Sequence, residues 1–495
     1  MMYGEEKSDS LIVAANLANN PQGAESVERR SGAKGNAEQP HMRRTQSRES
    51  MSQRLSRVRE AAKQRKKERF TALFHLLTAE ALENAFLSLS RKAAAGVDGV
   101  RWKDYAENLK VNIADLHRRL HQGSYRAQPG RRHYIPKADG KQRPLGIASL
   151  EDKIVQYALV KILNAVYEND FMGFSYGFRP GRSQHNALDA LATGLVRTNV
   201  NWVLDADISQ FFDKVSHEWL IRFIEHRIGD QRVIRLIRKW LTAGTSEEGE
   251  WRASEEGTPQ GAVISPLLAN IYLHYVFDLW AHQWRRRHAT GNVVMVRYAD
   301  DIVIVFDKRI DAQCFRIAMQ RRLKEFGLTV HPKKTRLMEF GRFAAENRAS
   351  RGKGKPETFN FLGFTHISGK DRSGRFMLIR KTRRDRMTAT LKAIKDGLRK
   401  RWHYSIPEQG KWLRRVVQGY LNYHSVPGNY PMMRKFRIYV TDLWRRALRR
   451  RSQQDDTTWT KANRLAAVWL PKVRVLHPWP VERFTARHPR QEPGA

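Results

Sequence analysis

A chain of 495 residues is longer than one ordinary domain, and its 41% of apolar residues can build a sizeable core. Its 90 Lys and Arg against 50 Asp and Glu leave a net charge of +40, which points to a polyanionic partner. The basic stretches are mixed with ordinary core sequence, which argues against a purely membrane-surface role, and the single cysteine, Cys314, excludes an intrachain disulfide and a cysteine-built zinc site.

Residues 1 to about 50 show no sustained period and read as a disordered leader, turning basic and helix-friendly from Arg54 to Arg69. The apolar run Leu11–Ala15 is short and follows acidic residues, so it is no secretory signal. Amphipathic helices are predicted over 69–92 and 104–121, separated by a turn at Gly96–Gly99. A hairpin follows, with strands at His133–Pro136 and near Leu145–Ile147 about a turn at Asp139-Gly140, then a helix over 151–168. Strands and helices mix to about residue 367. The most apolar stretch, Ala262–Trp280, holds Ser265, Pro266, Asn270, His274 and Asp278, and so reads as a buried helix rather than a membrane span. Cys314 reads as a small core residue in a helix. Beyond Lys381 the pattern is helical and very basic, with Leu391, Ile394 and Leu398 at helix spacing.

Two segments concentrate carboxylates. Val293–Tyr298 and Ile302–Phe306 are β-rich runs about a tight turn that carries Asp300 and Asp301. Adjacent aspartates repel, and a bound cation relieves that cost, although Asp is also an ordinary turn residue. Upstream, the apolar strand Trp202–Leu204 ends in Asp205 and Asp207, which share a face because strand side chains alternate. One carboxylate from this strand end together with the hairpin pair is what two-metal phosphoryl transfer needs, and oxygen-rich ligands favour Mg²⁺.

From about Val97 to Pro478 the sequence resembles the reverse transcriptase/maturases encoded by bacterial group II introns. Tyr298-Ala299-Asp300-Asp301 matches the family's Tyr-x-Asp-Asp box, and Asp207-Ile208 with Phe211-Phe212-Asp213 matches its first-aspartate box. In the family's order come Ile135-Pro136-Lys137 with Asp139–Ile147, Tyr176–Ser183, Gly257–Gly261 with Ser265–Asn270, Gly327-Leu328 through Lys334-Thr335, and Phe361–Phe364. The order of these boxes, rather than any one of them, makes the match specific.

The resemblance implies Asp207, Asp300 and Asp301 as catalytic, and the same three with Ile208 as the ligands of two Mg²⁺ ions. It implies Lys137 and Arg143 as clamps on the incoming triphosphate, Gln260 and Gly261 as lining of the nucleotide pocket, and Lys334 as a neutralising charge. Phe212 would crowd a ribose 2′-hydroxyl and favour deoxynucleotides, whereas Phe211 reads as core. Lys141 reads as a solvated charge and His217 as structural.

RNA contacts are expected from Arg179 and Arg182 and, in the basic C-terminal part, from Arg399, Lys400, Arg401, Tyr420, Arg445, Arg446, Arg449 and Arg450, since cations bind phosphates and aromatic faces stack on bases. Gln418–His424 with Pro427-Gly428-Asn429 resembles the maturase-specific thumb, or X domain, and Val475–Pro480 the family's closing tail. Paired cysteines of a zinc-supported HNH nuclease are missing, so no DNA-cleaving domain is expected.

The fold expected is α+β, a right-hand polymerase: a disordered basic leader over 1–65, fingers and palm with an antiparallel sheet over 66–370, an α-helical thumb/X domain over 371–452, and a basic tail over 453–495. The activity expected is RNA-directed DNA polymerisation from dNTPs. The expected partners are the group II intron RNA, an RNA template with DNA primer, and target DNA, in the cytoplasm or at the nucleoid, with no membrane and no zinc. The rivals are a splicing maturase with little polymerase activity, a related enzyme recruited for defence or repair, and an RNA-synthesising polymerase. All three carboxylates are present against the first, the segment around Tyr420 speaks against the second, and Phe212 against the third.

Overall fold

The structure, a computed structural model, describes residues 50–136, 142–247, 249–451 and 457–488. The first helix, Met51–Gln64, begins at a capping box in which Ser50 and Gln53 satisfy each other's backbone N–H groups. The continuous helix expected over 69–92 does not form. The carboxylate of Asp230 accepts from the backbone N–H groups of Leu73 and Phe74, both at 2.8 Å, and Phe70 bridges to Ile228. These contacts hold the chain in a short 3₁₀ turn, Phe74–Leu76, and the α-helix starts only after Thr78, as Ala79–Ser88. The next predicted helix is divided at Asn108 into Trp102–Glu107 and Leu109–Gln122.

Strands β1 (Gly130–Pro136) and β2 (Gln142–Ile147) form the expected hairpin, with Tyr134 opposite Pro144. The helix Leu150–Tyr167 follows and buries most of its length. After the helix Gln184–Arg197 comes β3 (Trp202–Asp207), then the short pair β4 (Thr245–Glu247) and β5 (Glu250–Arg252), which joins the first hairpin in the order β2-β1-β4-β5. The apolar stretch near 262–280 is buried and helical, but a π-helical turn, His274–Asp278, separates Ser265–Leu273 from Leu279–His288.

Strands β6 (Val293–Tyr298) and β7 (Asp301–Phe306) form the carboxylate-bearing hairpin, and β8 (Arg336–Glu339) completes an antiparallel sheet ordered β6-β7-β3-β8. Val293–Val296 and Ile302–Phe306 are buried throughout, so these strands read as continuous apolar runs rather than alternating ones. Cys314, on the helix Arg309–Glu325, is exposed and is not the core residue expected. Strands β9 (Phe359–Phe361), β10 (Phe364–Lys370) and β11 (Phe376–Thr382) make a third sheet.

A helical bundle follows: Arg384–Arg399, Ile406–His424, Tyr430–Arg449 and Trp459–Trp469, packed about Ile394, Leu398, Leu413, Val417, Phe436, Val440 and Trp444. The chain then returns to the α/β body. The helix Pro480–Arg487 lies on Gln184–Arg197, Phe484 enters the main core, and Arg483 grips the Asp189 carboxylate with Nη2–Oδ1 at 2.9 Å. Among the described residues no helix is long and apolar enough to cross a membrane.

Candidate active site

The register of β3 against β7 sets Asp207 directly opposite Asp301, and the turn between β6 and β7 places Asp300 beside them. Like charges facing across a ladder destabilise it. The Asp301 carboxylate still reaches water, yet the protein around it pushes its pKa up to about 7, first by burial and then by the charges of Asp300 and Asp207, against Lys334 and Arg383. Asp300 is raised chiefly by burial, with Asp207 adding to it and Arg143 and Lys334 opposing. Asp205, two residues back on the same face, is also pushed up to about 7, by burial and then by Asp301. It is the member of this group that the sequence reading set aside. It sits across from Arg336, deeper along the strand, whereas Asp207 stands at the strand's end.

Lys334 answers part of this negative charge: its Nζ donates to Asp207 Oδ2 at 2.8 Å. The turn that carries it is fixed to the same strand, since His331 N donates to the Asp207 carbonyl at 2.7 Å. Arg143, on β2, is exposed and close enough for its charge to be felt at Asp300. Lys137 lies outside the described residues. Among the described residues no three acidic or imidazole side chains already converge as a closed metal-ligand cluster. The donor set nonetheless fits a hard divalent cation: three carboxylates share one end of the sheet with one contacting ammonium, and two of the three are raised, first by burial and then by their neighbours' negative charge. Ile208 is buried beside them, bridged to Val330.

The nucleotide-pocket candidates form one continuous wall. Thr258 N donates to the Phe212 carbonyl at 2.7 Å, Gln260 Nε2 to Asp213 Oδ1 at 2.7 Å, and Gly146 N on β2 to the Gln260 carbonyl at 2.7 Å. Gly261 adopts φ +105°, a backbone that favours glycine, and a Cβ there would also crowd the Gly146 carbonyl at 3.2 Å. Phe211 is fully buried, the core residue expected, and Phe212 is partly buried. His217 is structural, its Nε2 lying 2.6 Å from the Gly257 carbonyl.

What aims the carboxylate turn was not foreseen. Arg297, fully buried, binds Asp278 through Nε at 2.7 Å and Nη2 at 2.6 Å, Ser175 Oγ at 2.7 Å, Asn270 Oδ1 at 3.1 Å and the Ala299 carbonyl at 3.1 Å. It thereby ties the hairpin tip, where Ala299 takes the left-handed φ of 57°, to the π-helical turn and to the Ser175 segment. An arginine inside an otherwise apolar strand was the signal available in the sequence.

Several expected RNA contacts are corrected. Arg179 is buried and ion-paired to Glu168, with Nη1 donating to the carbonyls of Met172 (2.8 Å) and Ser175 (2.9 Å). Arg182 spends its guanidinium on the carbonyls of Gly173 and Ser175. Tyr420 is buried and stacks on Phe436 with centroids 3.7 Å apart. Arg445 is mostly buried, over Trp459 and bonded to Asp442, and Arg401 lies half-buried over Trp412. Arg399, Lys400, Arg446, Arg449 and Arg450 are exposed, and Arg399, Arg446 and Arg450 line one cleft with Lys395 and Trp402.

Residues 135–366 match the family described as reverse transcriptase (RNA-dependent DNA polymerase). Over 254 residues the chain is 39% identical to Protein YkfC of Escherichia coli K12, covering 45% of this chain and 66% of that one. Over 223 residues it is 37% identical to the group II intron-encoded protein LtrA of Lactococcus lactis subsp. cremoris, covering 44% and 37% of the two chains. Over 172 residues it is 42% identical to an uncharacterized 91 kDa protein in the cob intron of Schizosaccharomyces pombe, covering 34% and 21%. The chain thus spans less than two-thirds of the length of each of these relatives.

Proposed function

We propose that this chain, which belongs to the group II intron-encoded reverse transcriptases, copies RNA into DNA by adding dNTPs to a primer 3′-hydroxyl. The observation that carries the reading is the cross-strand meeting of Asp207 with Asp301, with Asp300 at the same tip. The sheet β6-β7-β3-β8 is the palm, the β1–β2 hairpin belongs to the fingers, and the helical bundle is the thumb. Asp207, Asp300 and Asp301, with Ile208 beside them, would hold two Mg²⁺ ions, which supply charge neutralisation and a more acidic primer hydroxyl. Lys334 offsets the charge of Asp207 before substrate arrives. Arg143 faces the triphosphate with a planar fork suited to phosphate, and Lys137 is assigned the same task. Gln260 and Gly261 bound the pocket, and the Phe212 ring excludes a 2′-hydroxyl.

A second role rests on a separate observation. Lys395, Arg399, Arg446 and Arg450 of the bundle line one cleft with Trp402, a set of cations beside an aromatic face that suits structured RNA. The same protein then binds its intron RNA to assist splicing, and reaches target DNA at the nucleoid when the intron moves. Primer extension on an RNA template with dNTPs and Mg²⁺, comparing the native chain with Asp300→Ala, tests the first reading. DNA synthesis by the native chain alone supports it. No synthesis by either, from folded RNA-bound protein, leaves the splicing role in its place.

A further inference from the structure

Among the described residues, four that are not glycine hold a left-handed backbone: Phe178, Gln210, Ala299 and Leu362. Two of these lie on segments that form the carboxylate site and a third packs against them. Gln210 lies between Asp207 and Phe212, Ala299 between Tyr298 and Asp300, and Phe178 packs on both aromatic members. For a bulky side chain a positive φ is an outlier, and such strain persists only where the surroundings over-determine it.

The surroundings of Phe178 do so. On one side Gly177 is pressed against the carboxylate turn: a Cβ there would stand 2.3 Å from Ala299 N, and its carbonyl accepts from Asn270 Nδ2 at 2.7 Å. On the other side Arg179 is drawn inward by Glu168 and by the carbonyls of Met172 and Ser175. With both neighbours fixed, Phe178 is forced outward at φ 58° and stays half exposed, so burial of its ring does not account for the arrangement. Its ring meets Phe212 edge to face, centroids 6.4 Å apart and planes at 73°, and Tyr298 at 6.4 Å and 47°. Phe212 is itself only partly buried, so its outer side is supported by Phe178.

We propose that Phe178 is a specificity-determining positioning residue: it braces Phe212 from the solvent side, so that sugar selection belongs to a pair of rings rather than to Phe212 alone. The inference rests on the polymerase reading above. A single ring free to rotate away would admit a 2′-hydroxyl, and the second ring, held by a backbone that cannot relax, denies it that room.

The test compares incorporation of dNTP with that of rNTP, as ratios of kcat/KM, for the native chain, Phe178→Gly, Phe178→Tyr, Phe212→Ala and the double variant Phe178→Gly/Phe212→Ala. Glycine accepts the left-handed backbone without strain, so Phe178→Gly folds and its melting temperature does not fall. The expected result is a roughly tenfold loss of discrimination in Phe178→Gly, arising in KM for the ribonucleotide, with Phe178→Tyr close to native. The double variant then discriminates no worse than Phe212→Ala, because the two rings act as one unit. Unchanged discrimination in Phe178→Gly, or a loss that adds in full to that of Phe212→Ala, overturns the inference alone. Native-like discrimination in Phe212→Ala overturns the inference together with the gate it builds on. Absence of DNA synthesis by the native chain is the separate failure of the polymerase reading.

Discussion

The carboxylate tip and the helical bundle use arginine in opposite ways. At the tip one arginine, Arg297, is sealed from solvent with five hydrogen bonds to Asp278, Asn270, Ser175 and Ala299, while the anions stand at the edge. In the bundle Arg399, Arg446, Arg449 and Arg450 stand in water over a core of Ile394, Leu398, Leu413 and Trp444, and carry little of the fold. Desolvation makes the difference. A buried guanidinium must satisfy every donor and so fixes geometry, whereas an exposed one keeps its field for a partner.

The largest expected effect separates the two uses directly. Arg297→Met leaves Asp278 buried without its cation and should cost about 3–5 kcal/mol in urea unfolding, whereas Arg446→Met should stay within about 0.5 kcal/mol. Adding Asp278→Leu to Arg297→Met should recover part of the loss, because the stranded charge is then gone. Equal costs for Arg297→Met and Arg446→Met would erase the distinction between the two regions.

The same distinction decides what was legible in the sequence. The hairpin Val293–Phe306 and the strand before Asp207 announce themselves because apolar runs flank acidic turns, and local pattern sets local structure there. The boxes in the order of a known family carried the three carboxylates and Lys334 to one place, and the register brings them there. Long-range hydrogen bonding was not legible. The helix over 69–92 has the right period, and nothing in that period tells of an Asp230 carboxylate arriving from 157 positions away to bind Leu73 N. Arg179 and Arg182 look like surface cations in a Gly- and Pro-bearing segment, and only the fold shows which carbonyls enclose them. Tyr420 sits on a basic helix, but its period places it inward, against Phe436.

RNA binding sharpens the contrast at the next scale. Replacing Arg399, Arg446 and Arg450 together by alanine removes three exposed cations from one cleft. RNA affinity should fall on the order of 100-fold at low salt, and the slope of log affinity against log salt should flatten by about 2, from about 0.7 per phosphate contact. Arg182→Ala, whose guanidinium already serves the backbone, should leave that slope where it was. Filter binding over a salt titration reads both, and equal slopes for the triple variant and the native chain would remove the bundle from the RNA interface.

The smallest effect concerns Asp301 and the pH. Its folded pKa, raised to about 7, means that the native state holds the proton more tightly than the unfolded chain does. Stability from this group is therefore complete below the ordinary carboxylate range and is lost as pH rises through about 7. Asp301→Asn carries no such charge, so at pH 8 it should be more stable than the native chain by about 1–2 kcal/mol, a figure reduced because the carboxylate still meets solvent. The gap should close as pH falls from 7 towards 4. Mg²⁺ at pH 8 should raise the melting temperature of the native chain more than that of the variant, because only a charged site gains from the cation. In the bundle the opposite sign is expected. Asp442 lies between Arg445 (2.9 Å) and Arg446 (2.7 Å), so Asp442→Asn removes an attraction and should lower stability at pH 8 by under about 1 kcal/mol. Opposite signs for one chemical change, read in the same melting experiment, would place the carboxylate tip as a region that gives up stability for charge and the bundle as one that does not. Equal signs would mean that the tip's carboxylates are relieved by the protein itself, with nothing left for a cation to do.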